Sequence, residues 1–191
     1  MKNVVIIGVG AFGSHTLLFG RNIEAAFTVV DDDRVEQKNT MSQMHTGMGV
    51  GRNKAEALAK LMQGLYKLRI KPLPRRLTAD NVTQLLGGAD LVVDCVDNGA
   101  TRRLIQDYVR AHDIPCLHGA LSADGAFGRV VWDELFRIDD ENVVGEPTCE
   151  GGEHLPFITF AASILATQIR DFLSDGKRRN FNIHPGGTTP F

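Results

Sequence analysis

Three glycines, Gly8, Gly10 and Gly13, follow directly on the apolar run Val4-Val5-Ile6-Ile7 and open a helix-like segment. A buried strand, a glycine-rich turn and a helix start, in that order, build an anion site. The glycines let the backbone approach a phosphate, and the helix start supplies free N–H donors at the positive end of its dipole. The GxGxxG spacing indicates a nucleotide without saying which one, and a redox dinucleotide and a triphosphate both fit it. A second apolar run ends in Asp31-Asp32-Asp33. A carboxylate after the second strand reaches the ribose hydroxyls of an adenine nucleotide. The bland alternative is a solvated acidic turn; the glycines upstream favour the ribose role for Asp31.

Two further residues bear on charge. Lys54 begins a helical pattern beside Arg52 and Asn53, where a cation opposes the helix dipole; a polyphosphate sharing that space would account for it. Asp94-Cys95-Val96-Asp97-Asn98 closes another apolar run. Strand C-terminal ends line the ligand crevice of parallel sheets. Asp97 is therefore placed to hold Mg²⁺, which takes one or two carboxylates together with phosphate oxygens. Asp94, earlier in the strand, supports the turn.

The elements that must position these residues alternate along the chain. Strand patterns cover 3–8, 27–31, 68–73, 91–96, 114–121 and 125–132, and helical spacing covers 11–24, 54–65, 79–86 and 99–112. Strands spaced by helices predict an α/β fold, a mainly parallel sheet with helices on both faces. Residues 134–154 are polar, acidic and glycine-containing, and read as a crossover loop or lid. The segment 157–173 is apolar on nearly every side, which predicts a helix buried against the sheet or in a subunit interface. The end of the chain can add an edge strand, with 185–191 read as a flexible tail.

A length of 191 residues and 43% hydrophobic composition fit one domain, 1–191, with a sizeable core. With a net charge of −2 and no basic stripe or like-charge block read in the sequence, nucleic acid and membrane surfaces are not expected as partners. No apolar run approaches the roughly 20 residues of a membrane span. Three scattered cysteines, Cys95, Cys116 and Cys149, argue for a reducing compartment, and a cytoplasmic location is expected. Cys95 and Cys116 lie in strand patterns and read as core thiols. The histidines show no HxxxH spacing, and His15 reads as a first-turn helix residue.

Taken in order, GVGAFGS, DDDRVEQKN, VGRNKAEA and DCVDNGATRR resemble the ThiF/MoeB-like adenylyltransferases of the ubiquitin-activating-enzyme superfamily, over residues 4–173. The resemblance implies a Rossmann-like domain that binds ATP and Mg²⁺, forms a homodimer, and adenylates the C-terminal carboxylate of a ubiquitin-like or sulfur-carrier protein ending in Gly-Gly, releasing pyrophosphate. It implies that Gly8, Gly10 and Gly13 cradle phosphate, that Asp31 binds ribose with Asp33 supporting the turn, and that Asn39 faces the phosphates. Lys54 would neutralise them and Asp97 would hold magnesium, with Asn98 and Arg102 at matching motif positions. It places Cys149 where relatives' cysteines accept the acyl group; Glu146, Glu150 and Glu153 oppose that role by raising a thiol's pKa.

The chain departs from the family pattern in three ways. Ser42 stands where the family has an arginine, leaving Arg34, Arg52 and Arg102 as candidates for the missing phosphate cation. N-terminal helices that carry an arginine to the partner subunit in many relatives do not precede the first strand. No CxxC pair occurs, so structural zinc is not expected. Two other classes compete with an activating enzyme: an NAD-dependent oxidoreductase and a non-catalytic scaffold that grips a ubiquitin-like protein.

Overall fold

The computed structural model describes residues 1–138 and 152–191. Its elements in chain order are β1 (Lys2–Ile7), α1 (Ala11–Phe19), β2 (Ala25–Val30), α2 (Lys54–Tyr66), β3 (Ile70–Leu73), α3 (Val82–Leu86), β4 (Leu91–Asp94), α4 (Gly99–Ala111), β5 (Cys116–Leu121), β6 (Gly128–Trp132), α5 (Leu155–Asp175), β7 (Phe181–His184) and β8 (Gly187–Pro190). Two 3-10 turns, Gln37–Met41 and Gly47–Gly49, interrupt the polar stretch before α2.

All eight strands join one sheet in the order β3-β2-β1-β4-β5-β6-β7-β8. Neighbours from β3 to β5 run parallel, and β6, β7 and β8 each add antiparallel. The central strands are buried on both faces, which is why they read as continuous β-branched runs. Alternation along β1 sends Val4 and Ile6 into a core with Phe12, Leu17, Leu58, Met62 and Leu165 of α1, α2 and α5. Val5 and Ile7 enter the opposite core with Leu85, Leu86, Ile105 and Val109 of α3 and α4. Each such side chain contributes roughly 1.5–3 kcal/mol by leaving water.

The expected buried C-terminal helix is α5. Ala161 and Ala162 are fully buried on the face where it packs against α1 and the sheet, small enough for close approach. It ends at Gly176, whose φ of 72° suits glycine.

Several boundaries differ from the sequence reading. α1 stops at Phe19 rather than 24, because Gly20 caps it with its N–H on Thr16 O and β2 starts at Ala25. Residues 125–127 belong to a turn, not a strand: the Ser122 hydroxyl accepts from Phe127 N at 2.9 Å, and Gly125 has φ +65°. Residues 185–191 are not a free tail. Pro185-Gly186 makes the turn of a hairpin whose second strand, β8, pairs Thr188 with Ile183. The absence of a basic stripe does not hold either: Lys67, Arg69, Lys71, Arg75 and Arg76 are all exposed and form a basic stretch around β3. Lys71 and Pro72 on that outer strand guard an open sheet edge against pairing.

Candidate functional site

β1 lies between β2 and β4, and the chain leaves it in opposite directions on the two sides. That is a topological switch point, where ligands of such sheets bind beyond the strand C-terminal ends. Ile7 sits opposite both Val30 and Asp94, so Gly8, Asp31 and Cys95 leave the sheet side by side. Gly8 has φ +83°, and a Cβ there would meet Cys95 O at 2.8 Å. At Gly13 a Cβ would stand 2.0 Å from Gly8 O, so helix and turn touch backbone to backbone. Gly10 precedes α1, whose N-terminus has no side-chain cap. A Cβ at Gly10 would meet only the Gln43 amide, at 3.9 Å, so this approach to the helix start is open.

On the β2 side, Asp31 is pinned to the glycine turn. Its Oδ2 accepts from Val9 N at 2.8 Å and its Oδ1 from Asp33 N at 2.9 Å. Burial raises its pKa, and the two N–H donors pull it back. Asn53 caps α2 by accepting from Glu56 N at 3.2 Å, and its amide donates to Asp31 O at 2.8 Å and Asp33 O at 3.1 Å. The cap thereby welds α2 to the acidic turn. Lys54 follows as the first residue of α2, buried, with Nζ 2.9 Å from Asp33 Oδ2. The side chain of Lys54 is 11% exposed and that of Asp33 is 67% exposed, so the carboxylate covers the ammonium from the solvent side.

On the β4 side, Asp97 is exposed and makes no hydrogen bond or ion pair with the described residues. Asn98 caps α4, its Oδ1 accepting from Thr101 N at 2.9 Å. Arg102 is held by the protein itself. It donates to Val96 O and, at 3.1 Å, to Gly119 O, and its Nε stands 3.1 Å from Asp94 Oδ2 as an ion pair. Of the other two candidate cations, Arg34 donates to Gly51 O at 2.7 Å. Arg52 is exposed on the rim of a cavity it shares with Asp32, Asn53, Glu56 and Pro74. Asn39 is buried and serves its own turn, its Oδ1 accepting from Glu36 N at 2.8 Å. The glycines, Asp31, Asp33, Lys54 and the Asp97 turn thus share one end of the sheet. Arg102 and the Asn39 carbonyl oxygen are engaged by the protein itself. Cys149 lies outside the described residues.

His15 and His45 each bond a backbone carbonyl. His15 sits in the second turn of α1, buried, with Nε2 3.0 Å from Ser42 O. His45 Nε2 lies 3.1 Å from Val9 O and fastens the preceding segment to the glycine turn. Burial lowers the pKa of His45 to about 4.

His118 was missed altogether. It is fully buried in β5, with Nδ1 2.7 Å from Asp94 Oδ2 and Nε2 3.0 Å from Asp133 Oδ1. Gln106 and Arg110 of α4 donate to Asp133 at 2.9 and 2.7 Å, and the Phe136 ring stacks on the imidazole at 4.2 Å. A signal was present: a histidine inside the apolar run IPCLHGAL must find partners once buried. Cys95 and Cys116 are free thiols whose pKa burial pushes up, as core thiols require.

The model of the ThiF family matches residues 1–183. The chain belongs to the ThiF family. It is 36% identical over 123 residues to the SAMP-activating enzyme E1 of Haloferax volcanii, covering 63% of this chain and 46% of that protein. It is 37% identical over 125 residues to the sulfur carrier protein adenylyltransferase of Thermus thermophilus, covering 62% of this chain and 45% of the other. This ThiF-family chain thus spans about half the length of those curated relatives. A crystal structure of E. coli MccB with ATP superposes on all of it and on 62% of the MccB chain, with a TM-score of 0.78 at 15% identity, which establishes the shared fold. Among the described residues no helix is long and apolar enough to cross a membrane.

Proposed function

We propose that this ThiF-family chain is an ATP-dependent adenylyltransferase acting as one domain over residues 1–191. Its substrate is the C-terminal carboxylate of a ubiquitin-like or sulfur-carrier protein ending in Gly-Gly. A carboxylate oxygen of the carrier attacks the α-phosphorus, the bond from that phosphorus to the bridging oxygen of the β-phosphate breaks, and pyrophosphate leaves. Such a transfer needs charge neutralisation and positioning more than covalent help. The observation that carries the reading is the Lys54 ammonium, buried at the start of α2 and masked, among the described residues, only by an exposed carboxylate on the acidic turn. A triphosphate can displace Asp33 and take the ammonium without unfolding anything.

In this reading Gly8, Gly10 and Gly13 hold backbone against the phosphates, and Asp31 receives the ribose. Asp97 would hold Mg²⁺: it is a hard oxygen donor, exposed and uncommitted at the strand end, as an ion bound through one carboxylate plus substrate phosphates requires. When bound, the ion would neutralise phosphate charge. Relatives named for activating SAMP and for adenylylating a sulfur carrier support the substrate class. A cytoplasmic homodimer completes the proposal, and Arg52, exposed on the rim, is the favoured substitute for the arginine replaced by Ser42.

The test is ATP–pyrophosphate exchange with carrier proteins ending in Gly-Gly. Carrier-dependent exchange is the expected result. ATP binding without exchange for any carrier would favour a scaffold, and NAD binding without ATP binding would overturn the reading.

A further inference from the structure

We propose that His118 is a positioning residue, a buried cationic clamp that, through Asp94, fixes the turn carrying Asp97 toward the nucleotide. This rests on the functional reading above. The two oxygens of Asp94 do different work. Oδ1 accepts from Val96 N at 3.0 Å, and Oδ2 faces His118 Nδ1 at 2.7 Å. The carboxylate that sets the backbone direction after β4 is therefore itself set by the imidazole. The far nitrogen of that ring faces Asp133, which Gln106 and Arg110 tie to α4. With a carboxylate on each nitrogen, both must donate, and the ring is an imidazolium; a neutral ring would leave one lone pair aimed at a carboxylate. Burial alone would lower its pKa, but the carboxylates of Asp133 and Asp94 on its two nitrogens outweigh burial and raise it.

The turn is held at three points. Val96 N is held by Asp94, Val96 O by Arg102, and Thr101 N by Asn98. Arg102 and Arg110 both come from α4, the helix that starts two residues after Asp97. Among the described residues Asp97 has no anchor of its own, so its placement is inherited from its neighbours. Removing the imidazolium leaves Asp94 with Arg102 as its remaining cation and frees the β5 side of the clamp. Supporting groups around a metal-binding carboxylate are worth about 10- to 100-fold in metal affinity.

Three measurements test this. His118→Gln and Asp133→Asn should each raise the Mg²⁺ concentration for half-maximal pyrophosphate exchange by roughly tenfold or more, with the KM for carrier protein unchanged. In the metal-free variants the amides of Val96 to Thr101 should exchange with solvent faster than in the parent. In the parent itself, nitrogen NMR should show both His118 ring nitrogens protonated at pH 8. Mg²⁺ titrations that superimpose on the parent, unchanged exchange in 96–101, or a neutral imidazole at pH 8 would each overturn the proposal. The NMR measurement decides even if both variants fail to fold. A parent without any pyrophosphate exchange would instead sink the functional reading, leaving the amide and NMR results to judge the clamp alone.

Discussion

Cation–carboxylate contacts flank the crevice on both sides, and they are built in opposite ways. Beyond β2, Lys54 meets a carboxylate that stands mostly in water. Beyond β4, Asp94 and His118 are both fully buried, with Asp133 closing the far side. The exposed carboxylate is rehydrated when it leaves, so the exchange costs little when another anion takes its place on the buried ammonium. A dry partner cannot leave in this way, because the charge left behind costs roughly 3–5 kcal/mol. One edge of the crevice thus has a carboxylate free to swing into water, and the other has one locked in place.

The largest expected effect breaks the rigid edge. Asp94→Ala leaves His118 and Arg102 facing each other without their shared carboxylate and should cost about 3–5 kcal/mol in denaturant unfolding; a loss under about 1 kcal/mol would mean that this edge is no stiffer than the other. Lys54→Ala should slow pyrophosphate exchange roughly 100- to 1,000-fold while shifting unfolding by less than about 1 kcal/mol. Equal damage to rate and stability would assign Lys54 a structural role instead.

The pH dependence of stability separates the two edges by sign. His45, on the glycine-turn side, has its pKa lowered to about 4, chiefly by burial. The unfolded chain therefore takes up a proton that the folded one refuses, and about 3 kcal/mol should be lost as pH falls from 6.5 to 4. His118 runs the other way: its contribution is complete below pH 6.5 and is lost as pH rises toward about 11. Denaturation series should show His45→Gln flattening the acid limb alone and His118→Gln the alkaline limb alone. The smallest effect belongs to Asp33→Asn, which removes the competitor for Lys54. Calorimetry should find ATP binding unchanged or up to a few-fold tighter, and a tenfold loss would make Asp33 a nucleotide contact.

Much of this was legible in the chain. The runs Val4–Ile7 and Leu91–Asp94 announced central strands because burial on both faces removes any alternation. Gly8 and Gly13 were legible because backbone approach leaves no room for another residue. The clamp was not, for a physical reason: Asp94 at the end of β4, His118 within β5 and Asp133 just past β6 meet only when β5 pairs with both β4 and β6. The contacts of Arg102 were hidden for a related reason: the carbonyls of Val96 and Gly119, to which it donates, come near it only in three dimensions. The β7–β8 hairpin was half-seen, since Pro185-Gly186 is a turn signal but the strands beside it are short and polar.

That hairpin has a consequence for solubility. β7 lies along Gly128 to Val130, and the Asn180 side chain accepts the Trp132 N–H at 2.8 Å. A protein cut after α5 would keep its crevice intact yet bare β6, with Val130, Val131 and Trp132 in line, as an unguarded rim onto which another molecule could polymerise. Resistance to aggregation at this rim resides in strands that β4, β5 and β6 separate from the glycine turn after β1.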